Sequence, residues 1–137
     1  MFAPWRRNHG KEALKVRLLA CVLALSAIIG SLTVATAHHR VLRGRALYYS
    51  NEYKGQTMAC GGTYQPDKMI AAHRTLPCGT ELKVTNKANG RSVVVTVQDR
   101  GPFGDKDTIL DLSRRAAREL DYIDAGSARV RAVIRHD

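Results

Sequence analysis

The sequence predicts a small all-β domain, a closed β-barrel with one short helix, preceded by an N-terminal signal segment. Two segments near the middle of the chain and one near its end alternate apolar and polar residues with the period of two that β-strands require. An Asn89-Gly90 step separates the first two segments, and this dipeptide strongly favours a hairpin turn. Hydrophobic residues are 45% and charged residues 25% of the 137-residue chain, which is typical of a globular protein.

Residues 1–37 have the pattern of a signal peptide. A basic stretch from Arg6 to Arg17 precedes an uncharged apolar run over residues 18–37. The run ends in Ala35-Thr36-Ala37, a small-x-small pattern that signal peptidases accept, and cleavage there would leave His38 as the first residue. A run of this length can also span a bilayer, so an uncleaved anchor is the alternative. About 100 residues remain, enough for one small domain.

The part of the chain after the signal segment is basic. Residues 38–45 carry no clear pattern and are predicted as a flexible basic lead-in, with the barrel domain over residues 46–137. The whole chain has a net charge of +10. A positive charge of this size favours binding to a polyanion such as nucleic acid or an anionic cell envelope, and it does not by itself indicate a fold.

The first strands are predicted on either side of the Asn89-Gly90 turn. Glu81 to Thr85 alternates Leu and Val with polar residues, and Ser92 to Gln98 is a β-branched run too rich in Val to be helical. Both turn residues tolerate positive φ, so the two segments are expected to pair antiparallel.

The second half of the domain continues with a loop, a strand, a helix and a last strand. Asp99 to Phe103 contains a Gly-Pro step and is predicted as a loop. Ile109 to Leu112 reads as a short strand, and Ser113 as the N-cap of a helix over Arg114 to Leu120. Ala128 to Arg135 alternates again. Several strands with a single helix favour a closed barrel, because closure removes exposed sheet edges.

Cys60 and Cys78 remain after the signal segment. An even pair in an oxidising compartment is most simply a disulfide. The alternatives are a reactive thiol or a metal site, but no Cys-x-x-Cys or His-x-x-x-His pair is near, so no metal is expected.

Several blocks of the sequence together resemble a known family. These blocks are Thr57 to Cys60, Ala71 to Thr80, Val84 to Asn86, Asn89 to Val95, Asp99 to Phe103 and Ile109 to Ser113. In order and spacing they resemble the RlpA-like (rare lipoprotein A) domain, over about Ala46 to Ile134. The resemblance implies a six-stranded double-psi β-barrel, related to expansins and barwin-type proteins, with no cofactor. It also implies cleavage of peptidoglycan glycan strands that lack stem peptides, leaving a 1,6-anhydro-muramic end.

One departure from the family pattern concerns the activity. Active members have a functionally important glutamate where this sequence has Gly62. A lytic transglycosylase needs fewer groups than a hydrolase, because the 6-hydroxyl of the muramic acid is the nucleophile, and one group can serve as acid and then as base. The leading interpretation is therefore a lytic transglycosylase-like lyase. The alternative is a non-catalytic, expansin-like wall-binding module.

Three residues are candidates for the chemistry. By resemblance, Asp99 matches a functional aspartate, Asp111 matches the acid of expansin relatives and other barrel transglycosylases, and His73 matches a groove histidine. Asp99 is predicted as the principal acid, with Asp111 and His73 in support. Each has a structural alternative: a loop aspartate, a helix cap and a hydrogen-bonded barrel histidine.

Arg100, Tyr49 and Thr75 are predicted to bind substrate, although tyrosines in strands more often serve packing. The expected partner is the glycan of peptidoglycan, together with other envelope proteins, for a monomer in the periplasm or the extracellular envelope. A basic secreted nucleic-acid binder is a third interpretation, which the lack of a recognised nucleic-acid motif disfavours.

Overall fold

The computed structural model describes residues 40–136, which form six strands, one α-helix and one 3₁₀ turn. The signal segment predicted over residues 1–37 lies outside the described residues. The elements in chain order are β1 (Val41–Tyr48), the 3₁₀ turn (Asn51–Tyr53), β2 (Ile70–Ala72), β3 (Glu81–Asn86), β4 (Ser92–Asp99), β5 (Thr108–Leu112), α1 (Arg114–Glu119) and β6 (Ala128–Ile134).

The six strands close into one barrel in the order β1-β5-β2-β4-β3-β6. β1 pairs with β5, and β2 with β4, in parallel, while the other four pairings are antiparallel. The predicted closed all-β barrel with one helix is confirmed. The predicted hairpin is confirmed as β3 and β4, in which Val84 pairs with Val93 and Gly90 takes a φ of 76°.

The start of the barrel differs from the sequence prediction. β1 begins at Val41, so residues 41–45 are strand and not the flexible lead-in predicted over 38–45. The sequence does not indicate a strand over residues 41–45, because its outward residues are arginines and the buried position between them is Gly44, which is not a typical apolar strand residue. A Cβ on Gly44 would lie 2.7 Å from the carbonyl oxygen of Asp107. Only glycine therefore lets β1 approach the segment that leads into β5 this closely.

The barrel interior is filled by alternate residues of the strands. Seven of these side chains are almost completely buried: Leu82, Val84, Val95, Val97, Leu110, Leu112 and Val130. Burying a side chain of this kind stabilises the fold by roughly 1.5–3 kcal/mol. The opposite alternation carries polar residues, and it places Asp111 on the outside of the barrel wall. Asp99 follows the inward alternation of Val95 and Val97, but the register of β4 against β2 shifts just before it, and its side chain lines the outer groove.

The short helix covers one part of this core. The side chain of Ser113 accepts a hydrogen bond from the backbone N–H of Ala116, as the predicted N-cap requires. Ala116, Ala117 and Leu120 are fully buried, which confirms the predicted inner face. The α-helical residues end at Glu119, and Leu120 is the C-cap.

The long connection from β1 to β2 packs on itself and is held by the disulfide. Met58, Tyr64 and Ile70 form a small second core, against which Tyr49 packs. The predicted disulfide between Cys60 and Cys78 is confirmed, and it joins this connection to the segment after β2. Within residues 40–136, the helices are too short or too polar to cross a membrane.

Candidate functional site

A groove of about 570 Å³ lies on the outside of the barrel. Three parts of the chain build it: the end of β1 with the connection that follows, the loop after β4, and Asp111 of β5. The side chains that line it include Tyr49, Glu52, Tyr53, Asp99, Phe103 and Asp111.

The strand order brings the two candidate aspartates together. β2 lies between β4 and β5, and its residue Ala72 is the register partner of both Asp99 and Asp111. With neighbouring strands about 4.8 Å apart, the two aspartates lie on flanking strands at the same level. Both side chains face the groove. Two acids twelve positions apart in the sequence therefore share one site.

Asp99 is held in place by three hydrogen-bond donors. The Tyr49 hydroxyl donates to its Oδ2 at 2.7 Å. The backbone N–H groups of Ala59 and Arg100 donate to its Oδ1 at 2.8 and 2.9 Å. Burial and the nearby charges of Asp99 and Asp111 raise the pKa of Tyr49, so its proton stays on the phenol oxygen. Asp99 thus acts as an acceptor in all three contacts, as an ionised carboxylate does.

Asp111 has the opposite environment. Burial raises the pKa of its carboxyl, and the charge of Asp99 raises it further, while Arg74 partly opposes the shift. Within residues 40–136, its carboxyl oxygens have no hydrogen-bond donor. A half-buried carboxyl next to a fixed negative charge is the group of this pair that keeps its proton to higher pH.

His73 and Thr75 lie in a turn beside the groove and do not line it. His73 Nδ1 accepts hydrogen bonds from the backbone N–H groups of Thr75 and Leu76, at 3.1 and 3.0 Å. Burial lowers the pKa of His73, and the positive charges of Arg74, Arg40 and Arg100 lower it further. The imidazole is therefore neutral, with its proton on Nε2, and it shapes the turn.

The guanidinium of Arg100 is directed at the same turn. It donates to the carbonyl oxygens of His73 and Leu76, at 3.3 and 2.9 Å, and lies 3.3 Å from Sγ of Cys78. No ion pair joins its side chain to a carboxylate within the described part of the chain. Arg100 lines the groove, and it contacts the carboxyl group of Asp99 through its backbone N–H.

Arg74 is a site residue that the sequence interpretation passed over. Its guanidinium donates to the carbonyl oxygens of Pro102, Asp105 and Thr108, and so fixes the loop between β4 and β5. Arg74 lies beside His73 in the block Ala71 to Thr80 that resembles the family, and this position was the sequence feature that could have indicated it. No sequence pattern shows that an arginine after β2 holds a loop about 30 residues away.

Aromatic rings form part of the groove surface. Tyr49 stacks on Tyr64 with ring centres 4.4 Å apart and meets Tyr53 edge-on at 5.7 Å. Tyr48 uses its hydroxyl to donate to the carbonyl oxygen of Ile123, which is a packing role. Phe103 is 77% exposed, although it is a large apolar side chain.

Phe103 and Asp111 lie next to the same glycine. A Cβ added to Gly101 would lie 3.6 Å from the Phe103 ring and 3.9 Å from Oδ2 of Asp111. Gly101 has a φ of 123°, which only glycine adopts readily. The glycine thus leaves open the space between an exposed ring and the carboxyl of raised pKa.

The comparison with known proteins covers this same barrel. Residues 41–132 match the protein family described as lytic transglycolase. The chain belongs to the lytic transglycolase family. The endolytic peptidoglycan transglycosylase RlpA of Pseudomonas aeruginosa is 48% identical over 88 residues, which are 64% of this chain and 26% of that protein. The chain thus spans about a quarter of the length of this curated relative.

Solved structures similar to this member of the lytic transglycolase family share its fold. A papain inhibitor of Streptomyces has a TM-score of 0.58 and 26% identity, over 71% of this chain and 96% of that chain. A mutant expansin of Clavibacter michiganensis, in complex with cellohexaose, has a TM-score of 0.57 and 28% identity, over 72% of this chain and 52% of the expansin. The barrel is the six-stranded double-psi β-barrel that the resemblance implied.

Gly62, which the resemblance aligns with a glutamate of active members, lies outside the groove lining. It lines a separate concavity together with Cys60 and Cys78. Its φ of 72° is in the left-handed region that favours glycine. A Cβ on Gly62 would have open space, with Met58 Cε at 4.0 Å as its nearest contact. The positive φ of the backbone, and not a lack of space for a side chain, therefore favours glycine at this position.

The carboxylates of the groove do not form a metal site. Among residues 40–136, no group of three His, Cys, Asp or Glu side chains is placed to hold a metal ion. The chemistry proposed below uses only the side chains of the groove.

Proposed function

We propose that this protein is an endolytic peptidoglycan lytic transglycosylase, which cleaves glycan strands that lack stem peptides. The observation that carries the proposal is the carboxyl pair in one groove, with Asp99 fixed by three donors and Asp111 free of donors and raised in pKa. Two carboxyls in such different environments can divide the roles of anion and acid. The 48% identity to a named peptidoglycan transglycosylase supports the substrate class.

Asp111 is proposed as the proton donor, in place of Asp99, which the sequence favoured. Its carboxyl protonates the bridging oxygen as the bond from C1 of the muramic acid to that oxygen breaks. The 6-hydroxyl then attacks C1 and closes the 1,6-anhydro ring, and its proton passes to the Asp111 carboxylate. The acid is thereby restored, and no water enters the reaction.

Asp99 is proposed to stabilise the positive charge that develops at C1. Its position is fixed before substrate binds, because Tyr49 and two backbone N–H groups hold it. A preorganised charge of this kind needs no reorganisation during the reaction. Arg100 stabilises the transition state poorly in this scheme, because its guanidinium is bound to carbonyl oxygens of the turn.

Phe103 is proposed as a stacking surface for the sugar next to the scissile bond. An exposed phenyl ring beside an acid offers a flat apolar face to the C–H groups of a pyranose. The complex of the related expansin with cellohexaose supports an extended sugar chain as the ligand of such a barrel.

The export of the protein is part of the same proposal. The apolar segment over residues 18–37 would direct the barrel to the periplasm or the extracellular envelope. The substrate lies there, and an oxidising compartment allows the Cys60–Cys78 disulfide.

The second candidate function is a non-catalytic wall-binding module. Gly62 favours it, because a glutamate important for the activity of the family is missing there. The similarity to an expansin supports it as well.

One experiment separates the two candidates. The protein is incubated with purified sacculi and with glycan stripped of stem peptides by an amidase, and soluble products are analysed by mass spectrometry. Products with 1,6-anhydro-muramic ends from the stripped glycan would support the transglycosylase. Pelleting with sacculi and no released sugar would support the binding module.

A further inference from the structure

The outer face of β1, β6 and β3 carries a dense group of basic side chains. They alternate with buried residues along each strand, so they project away from the core. The group consists of Arg43, Arg45, Lys83, Arg129, Arg131 and Arg135.

Acidic side chains neutralise only the edge of this group. Arg45 pairs with Asp105 and Asp107, at 3.7 and 3.5 Å. Arg129 pairs with Asp107 at 2.9 Å, and Arg135 with Glu81 at 3.4 Å. In the part of the chain that the structure describes, Arg43, Lys83 and Arg131 have no carboxylate within 4.0 Å. These three are called the basic triad below.

The register of the strands places the basic triad side by side. Arg43 of β1 is the direct partner of Arg131 in β6. Arg131 pairs with Thr85 on its other side, so Lys83, two residues before Thr85, is its diagonal neighbour. Like charges in directly opposed positions of an antiparallel pair destabilise a sheet. A bound anion would relieve this repulsion, and no carboxylate of residues 40–136 forms an ion pair with these three side chains.

Two residues of the basic triad also line a surface depression. A depression of about 350 Å³ is lined by Lys83 and Arg131, with Val133, Ile134 and Arg135 beside them. None of these residues lines the catalytic groove. β1 connects the two surfaces, because Arg43 lies in its first half and Tyr48 at its end lines the groove. Arg43 and Tyr48 are five positions apart, or about 17 Å along β1.

We propose that the basic triad binds the free carboxylates of the stem peptides on intact peptidoglycan. The proposal rests on the proposed function, because the substrate of the groove determines which polyanion the protein meets. The groove itself is lined by three acidic side chains, Glu52, Asp99 and Asp111, against one basic side chain, Arg100, and so disfavours an acidic peptide. The triad has the complementary charge. The protein would hold peptide-bearing strands with one face while the groove works on a nearby strand without peptides.

The test compares binding and turnover in a triple variant, Arg43→Gln, Lys83→Gln and Arg131→Gln. A second variant, Lys54→Gln, Lys68→Gln and Lys106→Gln, has the same net charge. Its changes lie at exposed positions away from the triad, two in the connection from β1 to β2 and one in the loop between β4 and β5. Binding to intact sacculi is measured by pelleting across a range of salt concentrations. Turnover is measured on soluble stripped glycan.

The triad variant is expected to bind intact sacculi at least about tenfold more weakly at low salt, because three charge contacts are lost. The loop variant should bind like the wild type, and both variants should keep wild-type turnover on soluble glycan. Soluble glycan that carries stem peptides should also compete with intact sacculi for the wild type better than the same glycan after an amidase has removed its stem peptides.

Four results would overturn the proposal. Equal loss of binding in both variants would assign the effect to net charge. Equal competition by soluble glycan with and without stem peptides would exclude stem peptides as the anion, and stronger binding to anionic phospholipid vesicles than to sacculi would assign the face to a membrane. Undiminished binding of the triad variant to intact sacculi would contradict the proposal directly. If stripped glycan is not cleaved at all while the binding pattern holds, the result contradicts the proposed activity but not the proposal that the basic triad binds stem peptides.

Discussion

The Tyr49 hydroxyl and Oδ2 of Asp99 are joined by a 2.7 Å hydrogen bond across the groove. Tyr49 directly follows β1 and Asp99 is the last residue of β4, and these two strands are not neighbours in the barrel. The ring of Tyr49 is itself fixed by stacking on Tyr64. This contact joins the long connection after β1 to the carboxyl pair and positions the side chain of Asp99.

Replacement of Tyr49 with phenylalanine tests that contact. Tyr49→Phe keeps the stack on Tyr64 and removes one donor from a partly buried carboxylate. We expect the free energy of unfolding to fall by about 1 kcal/mol and kcat/KM to fall about tenfold. Chemical denaturation and steady-state kinetics would measure both, and an unchanged kcat/KM would show that the hydroxyl does not position Asp99 for the reaction.

Asp111→Asn is expected to reduce turnover without destabilising the barrel. Removal of a general acid lowers kcat by roughly 10²–10⁴-fold. The carboxyl of Asp111 has no donor in the described structure, so its loss should change the free energy of unfolding by less than about 1 kcal/mol or should increase it.

The stability of the wild type should also depend on pH through Asp111. Its pKa is raised in the folded state, so its contribution is complete below the unfolded-state value of 3.8 and is lost as the pH rises through the raised value. Asp111→Asn should lack this part of the pH dependence in urea denaturation. An identical pH profile for wild type and variant would contradict the assignment.

The charge of Asp99 should be detectable in the titration of Asp111. Asp99→Asn removes the like charge that contributes to the raised pKa of Asp111, while burial remains. We expect the pKa of Asp111 to move down in the variant, measured by carboxyl NMR titration of the folded protein. Asp99→Glu keeps the charge and serves as the control. A pKa that does not move in Asp99→Asn would mean that the two carboxyls do not interact.

Phe103→Ala tests the proposed sugar surface. The side chain is 77% exposed, so the change should leave the free energy of unfolding within about 0.5 kcal/mol of the wild type. We expect KM for long stripped glycan to rise several-fold, because a stacked ring contributes about 1 kcal/mol. Phe103→Tyr, which keeps a flat ring, should behave like the wild type. Equal kinetics of the alanine variant and the wild type would remove Phe103 from the binding surface.

The disulfide should contribute substantially to stability. Cys60–Cys78 closes a loop of 18 residues, for which the loop-closure estimate is about 3 kcal/mol. The variant with both cysteines changed to serine should unfold at correspondingly lower denaturant concentration, while the wild type should show no free thiols without a reducing agent. Equal stability of the two proteins would show that packing of the Met58 core alone holds the loop.

Local chemistry made much of the fold predictable. Asn89-Gly90 is typical of a tight turn, and Ser113 before an alanine-rich face indicates a helix start. The turn and the helix start both lie where the sequence predicts them. β1 was predicted too late because outward arginines and Gly44 hide its alternation. Gly44 is explained only by the close approach of the segment before β5, and this approach is a property of the closed barrel.

The site was predictable in its residue types and not in its division of roles. The resemblance pointed to Asp99 and Asp111, yet their meeting depends on β2 lying between β4 and β5, which is a long-range feature. The sequence also could not show that Arg100 turns its guanidinium away, or that Tyr49 makes Asp99 an acceptor. These contacts are the reason why we propose Asp111 as the acid, where sequence matching alone predicts Asp99.

The most direct test of the account compares the products of Asp111→Asn and Asp99→Asn on stripped glycan. Anhydro-muramic ends are counted by mass spectrometry over a fixed time. We predict that the wild type releases them, that Asp111→Asn releases none above background, and that Asp99→Asn keeps a reduced but measurable yield. Release by Asp111→Asn at the level of the wild type would contradict the account.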